Sequence, residues 1–186
     1  MKKSTRNAFV LALVGVLFLG LQSSVFAQLK IGYIDSQKIL ANYKESVDAQ
    51  KKLDAQNQKW QQQIQQMQQN LKNLQDQLDA QKLLLSEAKK QEKQQEIQNL
   101  YLKIQQFQMQ KWGQQGELFQ LQQKLMAPII DQINKTITKI GQEEKFDYIF
   151  DTVQGNIVYA SKKQPDLTDK VLKILNKSAA STTSKK

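Results

Sequence analysis

LDAQNQKWQQQIQQMQQNLKNLQDQLDAQKLLL, residues 53–85, decides the fold. It places Leu53, Asn57, Trp60, Ile64, Met67, Leu71, Leu74, Leu78, Gln81 and Leu85 at alternating spacings of four and three, and eight of those ten are apolar. That is the seam of a coiled coil, in which every second turn returns a side chain to the same face of the helix. A second seam follows in residues 97–125, on Ile97, Leu100, Ile104, Phe107, Lys111, Gln114, Leu118, Leu121 and Leu125. No single insertion of three or four residues brings the second seam into phase with the first. A turn between Ser86 and Glu96 accounts for this better than one continuous helix, so the stretch reads as a long antiparallel helical hairpin. Each arm spans on the order of 45–50 Å at about 1.5 Å per residue.

From Gln50 to Ala127 about a third of the residues are glutamine, and no proline interrupts them. Glutamine is a fair helix former that keeps the outer faces wet without charge. Glutamine-rich tracts can also be disordered or prone to aggregate, but a disordered segment has no reason to hold a period. Asn57, Gln81, Lys111 and Gln114 weaken the seam, and Gly113 with Gly116 soften the returning helix. These glycines are candidate hinge residues. The alternative is that they allow close packing of Trp112 or of a neighbouring chain. On the side away from the second seam, Leu102, Met109, Trp112 and Phe119 fall in the helically spaced series 102, 105, 109, 112, 116, 119. A two-helix arm leaves that stripe exposed. It is a candidate contact surface for a partner subunit or for an unfolded client, with scattered exposure as the third reading. Met and aromatic side chains suit adaptable contact.

The two ends of the chain read as a small α/β head. Lys30 to Ile34 is a predicted strand, with Asp35 or Ser36 capping a helix that begins with Ile39, Leu40 and Tyr43. After the hairpin, Pro128 is placed in the first turn of a helix carrying Ile129, Ile130, Ile133, Ile137 and Ile140 and ended by Gly141. Phe146 to Phe150 and Ile157 to Ala160 are predicted strands, joined through Thr152 to Asn156 with Gly155 at positive φ. Pro165 and Asp166 open a last helix bearing Val171, Leu172, Ile174 and Leu175, and residues 178–186 read as a disordered basic tail. Three short strands leave unpaired edges, which pairing between identical subunits would cover. The fold class is mainly α, with a small β head that serves as an oligomerisation body. The domain division is 28–48 and 128–177 for the head and 49–127 for the arm.

Residues 1–27 have the layout of an export signal. Lys2, Lys3 and Arg6 form a positive start, Ala8 to Leu21 is an apolar run short for a membrane span, and Val25-Phe26-Ala27 is a small-residue cleavage site. An uncleaved anchor helix is the alternative. The net charge of +10 falls to +7 when those three cations leave with the segment, since it has no acidic residue. That surplus favours acidic partners or anionic surfaces, and no recognition motif points to nucleic acid. The chain has no Cys and no His, so thiol chemistry, disulfides and the commonest metal ligand are excluded. No Gly-rich phosphate loop, nucleophile elbow or metal-spaced carboxylate set stands out. The reading is a protein without catalytic residues, cofactor or metal.

The strand Ile31-Gly32-Tyr33-Ile34-Asp35, the Gln/Lys-rich coil, Pro128-Ile129-Ile130, the strand Phe146-Asp147-Tyr148-Ile149-Phe150-Asp151 and the ending Asp166-Leu167-Thr168-Asp169-Lys170-Val171-Leu172 to Leu175-Asn176 resemble the Skp/OmpH family of periplasmic chaperones. The resemblance implies a homotrimer whose strands form a small barrel with three helical tentacles around a cavity. It also implies an ATP-independent holdase that encloses unfolded outer-membrane proteins in the periplasm, and it gives the Leu102, Met109, Trp112 and Phe119 stripe a use on the cavity wall. It further implies basic tentacle tips that contact anionic lipid or lipopolysaccharide. Here Lys82, Lys89, Lys90 and Lys93 are the candidates, offset by Glu87, Glu92 and Glu96, and a solvated, salt-bridged face is the competing account. Two functions of other classes stand beside the chaperone: a structural coiled-coil spacer, and a basic peripheral membrane-binding protein.

Overall fold

Asp35 stops the first strand and starts the first helix, because its side chain accepts a 2.8 Å hydrogen bond from the Lys38 N–H. In a computed structural model, which describes residues 29–183 apart from 154 and 156, strand β1 is Ile31–Ile34 and helix α1 is Ser36–Asn42. The long helices α2, Lys44–Gln81, and α3, Glu87–Trp112, follow. Helix α4 is Glu117–Glu144, strand β2 is Tyr148–Asp151 and helix α5 is Thr168–Thr183. The expected export segment, residues 1–27, lies outside the described residues.

Both seams are where the period puts them. Trp60, Ile64 and Ile104 are buried between α2 and the returning helices, and the other seam positions are at least half-covered except Gln81 and Gln114, which are exposed. The hairpin turn lies ahead of the expected window 86–96, of which residues 87–96 are already helix. It occupies residues 82–86, with Ser86 capping α3 by accepting from the Lys89 N–H. Ser and Glu in the order Ser86-Glu87 supply a cap and a first-turn acid, both of which favour a helix start there.

The returning arm breaks where the glycines are and nowhere else. α3 ends at Trp112, residues 113–116 are extended or turn, and α4 then runs unbroken from Glu117 through Pro128 into the head. Pro128 therefore lies inside a 28-residue helix and does not start one. It removes one i→i−4 bond, at Lys124, but Ile129, Ile133, Thr136 and Ile140 are buried on the next turns and hold the helix through the gap. The boundaries drawn at 48/49 and 127/128 both fall within single helices, α2 and α4, so head and arm share two continuous rods. Gly141 does not end α4 either. The helix closes three residues later with Lys145 in the left-handed region, φ 57°, and the Phe146 N–H returning to the Gly141 carbonyl at 2.9 Å. A Cβ at Gly141 would meet Ile149 Cδ1 of β2 at 3.5 Å, an ordinary van der Waals contact, so packing there does not require a glycine.

The head sheet is parallel. β1 pairs β2 in the register Ile31 to Tyr148 through Ile34 to Asp151, and the whole helical arm is the crossover between them. On the other edge of β1, the Tyr33 N–H donates to the Pro165 carbonyl and the Leu167 N–H donates to the Tyr33 carbonyl, at 3.1 and 2.8 Å, so residues 165–167 act as a third short strand. The expected strand Ile157–Ala160 does not form, and Phe146–Phe150 is shifted to Tyr148–Asp151. Val158 and Tyr159 are almost fully exposed there. Gly155 does take a positive φ, 71°.

Ile39, Tyr43, Val171, Leu175 and Ile140 are fully buried at the centre of the head, where α1, α4 and α5 meet. Thr168, also fully buried, accepts from the Asp35 N–H at 3.0 Å and donates to Asp166 at 2.5 Å, which ties the first and last elements together. Asn176 spans the break between α1 and α2: its Oδ1 accepts from the Lys44 N–H at 3.0 Å and its Nδ2 donates to the Asn42 carbonyl at 3.3 Å. The last helix continues through Ser178 to Thr183, and Ala179 is buried against the core. A disordered tail beginning at Ser178 is thus corrected for residues 178–183, where two alanines of high helix propensity and one buried methyl extend the helix; residues 184–186 lie outside the described residues.

Candidate contact surfaces of the arm

Three of the four polar seam positions, Asn57, Lys111 and Gln114, lie at the break, and Gln81 lies beside the distal turn. Asn57 Oδ1 accepts a 2.8 Å hydrogen bond from Trp112 Nε1, and the Trp112 ring stands edge-on to Trp60, centroids 6.5 Å apart, and to Phe107, 6.0 Å apart. Lys111 Nζ lies 5.1 Å from the Trp60 ring centroid and 5.4 Å from that of Phe107, and pairs with Glu117 at 2.5 Å. A seam lysine that could not be buried alone is thus held by two aromatic faces and a carboxylate. The glycines let the backbone fold onto itself at this point. A Cβ on Gly113 would sit 2.3 Å from the Met109 carbonyl oxygen, and one on Gly116 would sit 2.8 Å from that of Lys111. Neither residue has a positive φ, so the requirement is space, from the chain's own carbonyls.

That break divides the apolar stripe expected on Leu102, Met109, Trp112 and Phe119. Leu102 and Met109, two turns apart on α3, are exposed, Met109 to 72%, and Tyr101 is exposed beside them. Phe119 is exposed on α4, beyond the break. Trp112 leaves the row, because its indole turns into the seam toward Asn57 and Trp60. The series assumed an unbroken helix across residues 113–116, and four non-helical residues there reset the phase.

At the distal turn, Lys89 pairs with Glu92 at 2.5 Å and Lys90 with Glu87 at 2.7 Å, whereas Lys82 and Lys93 have no ion-pair partner among the described residues. The Lys89 ammonium donates to Glu92 and holds its carboxyl below the usual range. Leu83 and Leu84 stand in the same turn, 97% and 87% exposed. The seam pattern assigns neither of them a place, since it ends on Leu85; the position of the turn shows them as tip residues.

The head offers an open sheet. Tyr148 and Phe150 stack with centroids 5.9 Å apart on an exposed face of β2. Residues 157–161 line an open hollow of about 400 Å³ together with Ile31, Tyr33 and Phe150. Among the described residues no group of carboxylates could hold a metal ion, and no helix is long and apolar enough to cross a membrane.

The site therefore combines a parallel-stranded head, a long helical hairpin as its crossover, and apolar side chains left open on both head and arm. Residues 30–175 match the family described as outer membrane protein, OmpH-like. The chain belongs to that family. A crystal structure from Caulobacter crescentus CB15, described as a candidate outer membrane chaperone of the OmpH-like kind, has the same fold with a TM-score of 0.70. It is 17% identical, with 80% of this chain and 85% of that one covered. No curated protein matches the chain.

Proposed function

We propose that the protein is an ATP-independent holdase of the periplasm, which keeps unfolded outer-membrane proteins from aggregating by holding them against its arms. Membership of the OmpH-like family and the chaperone description of the Caulobacter structure support the class. The observation that carries the reading is the exposure of Leu102 and Met109 before the break and of Phe119 beyond it, on a glutamine-rich arm. Side chains of this kind gain by covering apolar segments of an unfolded chain and set few demands on its sequence. Trp112 supports the surface from within, through Asn57. The mature chain begins at Gln28 in this reading, and the protein needs no cofactor and performs no catalysis.

The working form is a homotrimer. The outer edge of β2 has no ladder partner among the described residues, and Tyr148, Phe150, Val158 and Tyr159 lie exposed around it. Strand pairing and burial between three copies would use both. Gly113 and Gly116 let the distal arm swing so that the cavity adjusts to its client, and Lys82 and Lys93, with Lys89 and Lys90 behind them, contact lipopolysaccharide or anionic lipid at the tips.

The test is suppression of light scattering when a urea-unfolded outer-membrane β-barrel protein is diluted into the purified chain without nucleotide. Leu102→Gln, Met109→Gln and Phe119→Gln introduced together should abolish suppression while the sedimenting mass stays the same. A wild type that does nothing at several-fold molar excess refutes the holdase and leaves a structural coiled coil.

A further inference from the structure

Two cavities of about 420 and 340 Å³ lie end to end between α2 and α4, sharing Gln56 and Leu121. Together they form one groove whose floor is Leu121 and Leu125 and whose rim carries Lys52, Lys59 and Lys124. Lys52, Gln56 and Lys59 recur at one helical face of α2, so the two lysines stand about 10 Å apart along the arm at ~1.5 Å per residue.

The charge balance of this groove is lopsided. None of the three lysines has an ion-pair partner among the described residues. The wall's carboxylate, Glu117, is taken by Lys111 at 2.5 Å. On neighbouring turns Asp48 is paired with Lys51 at 3.9 Å and Asp131 with Lys135 at 2.7 Å, whereas Asp54 is bonded to the neutral Gln50 amide at 2.9 Å and keeps its charge. An apolar floor flanked by three uncompensated cations suits a ligand that is apolar in the middle and anionic at its edges.

We infer that this groove binds an acidic polypeptide segment, whose carboxylates meet Lys52, Lys59 and Lys124 while an apolar side chain between them covers Leu121 and Leu125. The Gln56 amide stands where the two cavities join and offers both a donor and an acceptor to the segment's backbone. The site differs from the exposed Leu102 and Met109 surface of α3, and it adds a charge preference that apolar contact lacks. The natural occupant is a stretch of unfolded client, so its identity rests on the holdase reading; the groove's preference for acid does not.

The experiment uses the full mature chain and a short fluorescent peptide of Glu, Leu and Ser, with a companion in which every Glu is Gln. Anisotropy should show the acidic peptide binding about tenfold or more tightly than the companion, with an affinity that falls as salt rises. Lys52→Gln, Lys59→Gln and Lys124→Gln together should weaken it by about tenfold, and the control set Lys72→Gln, Lys103→Gln and Lys173→Gln, equal in charge change, by less than about twofold. Equal losses in both sets overturn the proposal in favour of diffuse charge attraction. A changed sedimenting mass in the groove variant also overturns it, because a second copy then covers the groove. The client assay separates the two readings. A wild type that binds the acidic peptide yet fails to suppress aggregation refutes the holdase alone, whereas suppression without peptide preference refutes the groove alone.

Discussion

Trp112 Nε1 donates to Asn57 Oδ1 at 2.8 Å, joining the last residue of α3 to a polar position in the seam of α2. Asn57 weakens the coiled coil as a seam residue, and Trp112 ends a helix that the seam pattern would continue. Each is explained by the other: the break frees the indole to reach across, and the amide gives its N–H a partner.

Trp112→Phe keeps an aromatic ring beside Trp60 and removes the donor. The half-buried Asn57 oxygen loses its bond, at a cost of about 1–2 kcal/mol. Hydrogen exchange should quicken from Phe107 to Phe119 and stay unchanged in the head, and Asn57→Leu added to Trp112→Phe should recover part of the loss.

Gly113→Ala should destabilise the arm by roughly 1–3 kcal/mol, because the new methyl meets the Met109 carbonyl at 2.3 Å and the backbone must move. Gln114→Ala, at an exposed neighbour, should change the urea midpoint little. Equal effects from the two substitutions would show that the break has no close-packed geometry to disturb.

Asn176→Ala removes both hydrogen bonds that bridge the break between α1 and α2, at Lys44 N–H and the Asn42 carbonyl. The site is exposed, so water replaces part of the loss and the cost should be about 1 kcal/mol. Its more telling sign would be faster exchange of the Lys44 to Val47 amides, the root of the arm.

Asp151 gives the head a dependence on pH. Burial raises its pKa, but hydrogen bonds from Ser36, Val153 and Thr152 outweigh that and hold it below the ordinary value of 3.8. A folded pKa below the unfolded one means that stability is present above the unfolded value and is lost as pH falls through the folded one. Wild type should therefore lose stability more steeply than Asp151→Asn below about pH 4, as read from urea midpoints at neutral and acid pH.

Sequence periodicity alone determined the two seams, and the structure covers their apolar residues from Leu53 to Leu85 and from Ile97 to Leu125. Residue preferences placed a cap at Asp35 or Ser36, of which the structure uses Asp35, and left Gly155 free for the positive φ that it takes. These are local properties, set by side-chain spacing along one helix or by the backbone preference of one residue. What only the tertiary structure decided depends on a distant partner. Pro128 and Gly141 carry helix-boundary chemistry, yet α4 runs through both, because burying Ile129, Ile133 and Ile140 outweighs one lost hydrogen bond. The strand expected after Gly155 satisfies the propensity rules yet leaves the outer edge of β2 unpaired among the described residues, while β1 takes parallel neighbours on both sides from segments more than a hundred residues away. Trp112 fits the outward stripe by number and turns inward by geometry, since the break that redirects it arises from two glycines packing against their own backbone, a contact that no pattern of apolar spacing encodes.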